Sequence, residues 1–189
     1  MYSRQTHSGF SLIEVLLVVT LMGILAGMMI SQFQPNAAEQ LKAAGQILST
    51  ELAYARNLAV SNNDTYRLTF SVAENQIALE HTGANTLLDV LPASPFADSH
   101  STPDKQITDL DDFPQMNSSV HLISVLADGT SVSSIEFDSL GSTTRPETTV
   151  IWLVSGEGSS ARYLPLSVNP ITGLATLGNL QATPPTSTP

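Results

Sequence analysis

The stretch GFSLIEVLLVVTLMGILAGMMI, residues 9–30, is almost wholly apolar and contains one charged residue, Glu14. Residues 10–30 would extend about 31 Å as a helix, which matches a hydrocarbon core of about 30 Å. The preceding nine residues, MYSRQTHSG, are polar and carry Arg4 and no acidic side chain, a flank that favours a cytoplasmic N-terminus. The apolar run is longer than that of a secretory signal peptide, and the candidate small residue, Gly9, precedes it. The segment therefore predicts a retained, membrane-spanning helix.

The carboxylate of Glu14 requires an explanation, because a charge at the centre of a membrane helix costs on the order of 2.5–3.5 kcal/mol on insertion scales. One explanation is local. Residues 11–14, SLIE, have the Ser-x-x-Glu pattern of a capping box, in which Ser11 bonds the amide of Glu14 and Glu14 reaches back to the amide of Ser11. This arrangement also places the acid at the positive end of the helix dipole.

The second explanation comes from a resemblance. The polar leader followed by GFSLIEVLLVVTLMGILAG, residues 9–27, closely resembles the N-terminus of type IV pilins and pseudopilins. In that family a membrane prepilin peptidase cleaves after the glycine and methylates the new amino terminus. The resemblance implies cleavage between Gly9 and Phe10, and N-methylation of Phe10. It also implies that Glu14 pairs with the N-terminal ammonium of a neighbouring subunit, which would fix the register of a fibre. Capping and pairing can coexist.

The rest of the N-terminal half predicts helix. Gly23, Gly27 and Ser31 are spaced four apart, a row that lets helices approach closely in lipid, although glycine is common in membrane helices in general. Pro35 predicts an interruption. Leucine and alanine then recur at helical spacing, and the polar flanks include Glu51. Residues 31–62 are therefore predicted to be an amphipathic continuation that packs on a sheet.

Residues 63–180 have the alternation of strands. TYRLTFSV (65–72) and QIALEH (76–81) predict a hairpin. Residues 82–119 contain four prolines and no periodicity, which predicts a long loop. Strand patterns return in VHLISVL (120–126), VSSIEFDSLG (132–141), TVIWLVS (149–155), ARYLPLSV (161–168) and LATL (174–177). The tail, residues 181–189, has the composition of a disordered end. This order predicts an α+β fold, with a long N-terminal helix on an antiparallel sheet.

Three passages narrow the resemblance to the H-type minor pseudopilins of type II secretion and related minor pilins: residues 48–70, 133–141 and 163–177. The resemblance implies a structural subunit of a periplasmic fibre for protein export. It would cross the bacterial inner membrane once, with its C-terminal domain in the periplasm. Its partners would be the prepilin peptidase/methyltransferase, other pseudopilins or pilins, and the lipid bilayer. Two alternatives stay open: a minor type IV pilin for pilus assembly or DNA uptake, and an anchored binding domain that does not polymerise.

The composition argues against several other functions. Seven basic and 17 acidic side chains give a net charge of −10, and the C-terminal third offers only Arg145 and Arg162 to nucleic-acid phosphates. The absence of cysteine excludes disulfides and thiolate metal sites. Asp104 and the run DLDD, residues 109–112, favour a solvated acidic loop over a Ca²⁺ site. No nucleophile elbow or phosphate-binding glycine loop is present, so we expect no enzymatic activity and no cofactor.

Overall fold

The computed structural model describes residues 11–30, 37–94, 97–112 and 120–185. The chain divides into two compact units, Met1–Pro35 and Asn36–Pro189. In the first unit, helix α1 spans Leu12–Ile30. Gly9, Phe10, Ser31 and Pro35, for which the sequence makes specific predictions, lie outside the described residues. Among the helices of the described residues, none is both long enough and apolar enough to cross a membrane.

The second unit begins with helix α2, Ala37–Asn62. Small and aliphatic side chains at helical spacing form one buried stripe along it: Leu41, Ala44, Leu48, Leu52, Ala55, Leu58 and Ala59. Gly45 lets α2 pack tightly against the side chains of two later strands, because a Cβ placed there would be 2.7 Å from Leu164 and 2.9 Å from Leu177. The stripe therefore packs as the sequence pattern predicts.

Nine strands follow α2 within the described residues. They are β1 (Tyr66–Ser71), β2 (Gln76–His81), β3 (Lys105–Asp109), β4 (Val120–Ala127), β5 (Thr130–Ser131), β6 (Ser134–Phe137), β7 (Thr149–Ser155), β8 (Arg162–Val168) and β9 (Ala175–Leu177). They form two sheets, in the orders β3-β2-β1-β6 and β5-β4-β7-β8-β9. All strand pairs are antiparallel. The α+β prediction is thus confirmed, with two sheets in the domain.

Helix α2 contacts both sheets: β1 and β6 in the first, and β4, β7, β8 and β9 in the second. The core of the domain lies between the helix and the strands. Large, fully buried side chains from the three elements meet there, among them Leu48, Leu52, Leu68, Ile151 and Leu166. The alternation of buried and half-buried residues along β1 and β7 follows the two-residue period of a strand.

The prediction of an unstructured loop over residues 82–119 is wrong at β3, which pairs with β2 from Gln76↔Asp109 to Glu80↔Lys105. The residues that β3 buries are polar, Gln106 and Thr108, so the strand has no apolar alternation that would reveal it. The tail prediction also needs a correction at its first residue. Gln181 pairs with Tyr163 through two backbone hydrogen bonds of 2.9 and 2.8 Å.

Candidate functional site

The first turn of α1 contains Glu14, whose side chain is exposed. The backbone carbonyl of Ser11 accepts hydrogen bonds from the amides of Glu14 (3.0 Å) and Val15 (3.2 Å). Ser11 is therefore the N-cap residue of α1, as the sequence pattern suggests. Within the described residues, however, no side-chain hydrogen bond joins Ser11 and Glu14, so the reciprocal capping box is not formed. The carboxylate stays available at the positive end of the helix dipole.

Apart from Glu14 and Thr20, the described surface of α1 from residue 12 to residue 27 is apolar. Every side chain from residue 12 to residue 27 is exposed, and the exposed fractions of Leu12 and Ile13 reach 82% and 73%. The hydroxyl of Thr20 is satisfied inside the helix, where it donates to the carbonyls of Leu16 and Leu17. A continuous exposed apolar surface of this kind marks a site of contact with lipid or with another protein.

The predicted row of small residues is described at Gly23 and Gly27. A Cβ placed at either glycine would meet no atom within 4 Å. Nothing in the described part of the chain therefore requires glycine at these two positions. The row is available for close approach by a second helix, which is the role predicted from the spacing.

Residues 4–30 match the family model described as the prokaryotic N-terminal methylation motif. This match covers residues 4–9 of the polar leader, the predicted cleavage site and Glu14. The chain carries a prokaryotic N-terminal methylation motif. The match confirms the predicted N-terminal motif, and the cleavage, the methylation and the role of Glu14 stay predictions.

No curated protein is significantly similar to the chain. Among solved structures, the chain is similar to the type IV minor pilin FimU of Pseudomonas aeruginosa in two crystal forms. In one form the identity is 15% over 78% of this chain and 90% of FimU, with a TM-score of 0.47. In the other the identity is 18% over 73% of this chain and 92% of FimU, with a TM-score of 0.44.

An acidic cluster forms near the place that the sequence indicates, but its members differ from those named there. Carboxylate oxygens of Asp98, Asp109 and Asp112 lie within 4.8 Å of one another, whereas Asp104 is not part of the group. Asp98 accepts from His100 at 2.6 Å, and this bond is the main reason why the pKa of Asp98 is lowered. Asp109 accepts from the side chain of Gln76 at 2.8 Å. Two of the three carboxylates therefore already have protein partners.

The two arginines considered for nucleic acid do not form one patch. Arg162 begins β8 and pairs with Ser155 at the end of β7. Arg145 precedes Thr149, the first residue of β7, which pairs with Val168 at the other end of β8. A strand of seven residues separates the two ends by roughly 20 Å. This separation argues against a shared phosphate site.

The sequence analysis did not predict the burial of two ionisable side chains, His81 and Glu51. His81 on β2 has a fully buried side chain, with Nδ1 2.8 Å from Asp89 and Nε2 3.2 Å from Asp64. Glu51, predicted on a polar flank of the helix, is only 3% exposed. Ser94 donates to its carboxylate at 3.2 Å, and burial raises the pKa of Glu51. Through Asp89 and Ser94, these two residues hold the segment that follows β2 against the domain. No local sequence pattern predicts such contacts.

Proposed function

We propose that this chain is a minor pseudopilin of a type II secretion pseudopilus, anchored in the bacterial inner membrane and assembled into a periplasmic fibre for protein export. The observation that carries the proposal is the methylation motif over residues 4–30. The passages resembling H-type minor pseudopilins support the choice of a secretion fibre. The prepilin peptidase would cleave between Gly9 and Phe10 and methylate Phe10.

The apolar surface of α1 is not covered within the described part of its own chain. Its apolar side chains are exposed from residue 12 to residue 27, and leaving such surface in water is unfavourable. Before assembly the lipid bilayer would cover it, and after assembly the helices of neighbouring subunits would. Cleavage would create an ammonium at Phe10. The exposed carboxylate of Glu14 would pair with that group on a neighbour, and the row at Gly23, Gly27 and Ser31 would let the helices approach.

The partners under this proposal are the prepilin peptidase/methyltransferase, other pseudopilins or pilins, and lipid. We expect no enzymatic activity, because the role is structural. A nucleic-acid function is disfavoured by the net charge of −10 and by the separation of Arg145 from Arg162. The alternative is a minor type IV pilin, because the same N-terminal segment serves both kinds of fibre.

The test is a deletion strain complemented with the wild-type chain, Glu14→Ala or Glu74→Ala. Glu74 is a matched control, because it is an exposed acid in the turn between β1 and β2. The readouts are the mass of the N-terminal peptide, the secreted proteome and surface pili. We expect a mature chain that begins with methylated Phe10, loss of secretion with Glu14→Ala, and normal secretion with Glu74→Ala.

Other outcomes would decide against the proposal. Lost pili with intact secretion would assign the chain to the minor type IV pilins. A chain that still begins at Met1, or full function with Glu14→Ala, would identify an anchored domain that does not polymerise.

A further inference from the structure

Two turns of the second unit present large apolar side chains to solvent. Leu140 follows β6 and is 83% exposed, and Ile171 follows β8 and is 81% exposed. Both line one open cleft of about 600 Å³, together with Arg145, Pro146 and neighbouring residues. We call residues 138–146 and 169–174 the turn face. Exposed apolar side chains grouped in this way mark an interaction surface more often than isolated ones do.

Each apolar tip is held by a short polar side chain two residues before it. The carboxylate of Asp138 accepts from the amides of Leu140 (2.9 Å) and Ser142 (3.0 Å). In the second turn, the side-chain oxygen of Asn169 accepts from the amide of Ile171 at 3.0 Å. The two tips are therefore ordered before any partner arrives. Preorganisation of this kind lowers the entropic cost of association.

The two turns are also joined to each other. Nε of Arg56, on α2, donates to the carbonyl of Gly141 at 3.1 Å and to the carbonyl of Thr172 at 2.7 Å. A Cβ placed at Gly173 would lie 2.1 Å from the carbonyl oxygen of Gly141, so the turns pack backbone against backbone. Leu140 and Ile171 thus belong to one platform with a set spacing.

Two arginines and one carboxylate lie at the turn face: Arg145 and Asp138 within it, and Arg56 of α2 beside it. Arg56 donates to two carbonyls, and Arg145 donates to the carbonyl of Ser134. Among the described residues, neither arginine has a carboxylate within ion-pair distance, unlike Arg67, which pairs with Glu80 and Glu136. The carboxylate of Asp138 is bonded within its own turn, by the amides of Leu140 and Ser142 and by the hydroxyl of Ser142. Within the described residues, the guanidinium of Arg145 therefore lies near the apolar tips with no carboxylate partner of its own.

We infer that the turn face docks an apolar segment bearing a carboxylate on a different subunit of the same fibre. The inference rests on the proposed function, which supplies the fibre. The apolar part of the segment would fill the cleft between Leu140 and Ile171, and its carboxylate would meet Arg145.

The test uses the full chain in its native host, with a photoreactive p-benzoylphenylalanine at position 140, 171 or 87. Leu87 is the matched control, because it is 86% exposed and lies in the turn Thr86–Leu88, outside the turn face. We expect adducts from positions 140 and 171, mapped by mass spectrometry to one acidic, apolar segment of another chain that carries the N-terminal methylation motif. Position 87 should not yield that adduct.

A charge reversal then tests the electrostatic part. Arg145→Glu should lower the yield of the adduct from position 171 about tenfold, because repulsion replaces attraction. Arg162→Glu, at the other end of β8, is the control and should leave the yield unchanged. The inference is overturned if positions 140 and 171 yield no more adduct than position 87, if the adduct joins two copies of this chain or reaches a chain without the motif, or if Arg145→Glu has no effect.

The mass of the N-terminal peptide of the same chains distinguishes a failure of the docking inference from a failure of the proposed function. A chain that begins at methylated Phe10 and supports secretion, but yields no adduct, would leave the proposed function standing and remove only the docking face. A chain that still begins at Met1 would remove the proposed function itself.

Discussion

Asn75 connects the two sheets, and its replacement gives the sharpest test of the fold. Its side-chain nitrogen donates to the carbonyl of Val120 at 2.8 Å, and its side-chain oxygen accepts from the amide of Leu122 at 2.8 Å. One amide thus satisfies two backbone groups on the open edge of β4. Asn75 is buried, as are Val120 and Leu122, and it has a positive φ of 54°.

Asn75→Gly keeps this backbone conformation accessible and removes the amide. Two buried backbone groups then lose their partners, at about 1–3 kcal/mol each, so the free energy of unfolding should fall by about 2–6 kcal/mol. A domain stability of about 5–15 kcal/mol makes this a large fraction. The assay is urea denaturation of the compact unit, residues 36–189.

Asn63→Gly is the matched control. Asn63 also has a positive φ, of 50°, but it is exposed and its side chain makes no hydrogen bond within the described residues. We expect a change within about 0.5 kcal/mol, as for other surface substitutions. Equal effects of Asn75→Gly and Asn63→Gly would refute the reasoning, because the loss would then come from glycine and not from the amide.

Three further predictions concern packing and buried charge. Gly173→Ala should destabilise the domain by about 2–5 kcal/mol, because φ is +62° and a Cβ would meet the carbonyl oxygen of Gly141. Gly158→Ala is the control: its φ is +56° but the space around it is open, so it should cost only about 1–2 kcal/mol in the same denaturation assay. Leu52→Ala removes a fully buried side chain and should cost about 2–5 kcal/mol, seen as a lower Tm. Burial raises the pKa of Glu51 above its ordinary value of 4.5, so the folded state binds this proton more tightly than the unfolded state does. The stability that the bound proton contributes is therefore present at low pH and is lost as the pH rises through the raised pKa of the folded state. The unfolding free energy of Glu51→Gln relative to wild type should therefore increase from about pH 4 to about pH 7, and a difference independent of pH would contradict this account.

The strands found from sequence are those whose inward residues are apolar. TVIWLVS coincides with β7, Thr149–Ser155, because Ile151 and Leu153 alternate with less buried neighbours. Strand β3 escaped because Gln106 and Thr108 face inward. Its place is set by backbone pairing with β2, and that pairing leaves no mark in the hydrophobic pattern.

The candidate sites also divide into those that a local sequence pattern reveals and those that only tertiary contacts form. Glu14 and the small residues of α1 are recognisable because their chemistry depends on spacing within one helix. The acidic cluster is not, because Asp98 reaches Asp109 and Asp112 only through the return of the chain at β3. Glu51 was assigned to a polar flank of α2, and it is buried because the segment around Ser94 folds over the helix.

The sequence by itself determined the N-terminal methylation motif, the two helices and the α+β class. These features depend on local order: an apolar run of set length, a helical stripe, and alternation with a period of two. Only the tertiary structure decided the division into two sheets, their connection through Asn75, and the turn face at Leu140 and Ile171. Each of these brings together residues far apart in the chain, and such contacts are selected by the packing of the whole domain and leave no periodic signal in any one segment.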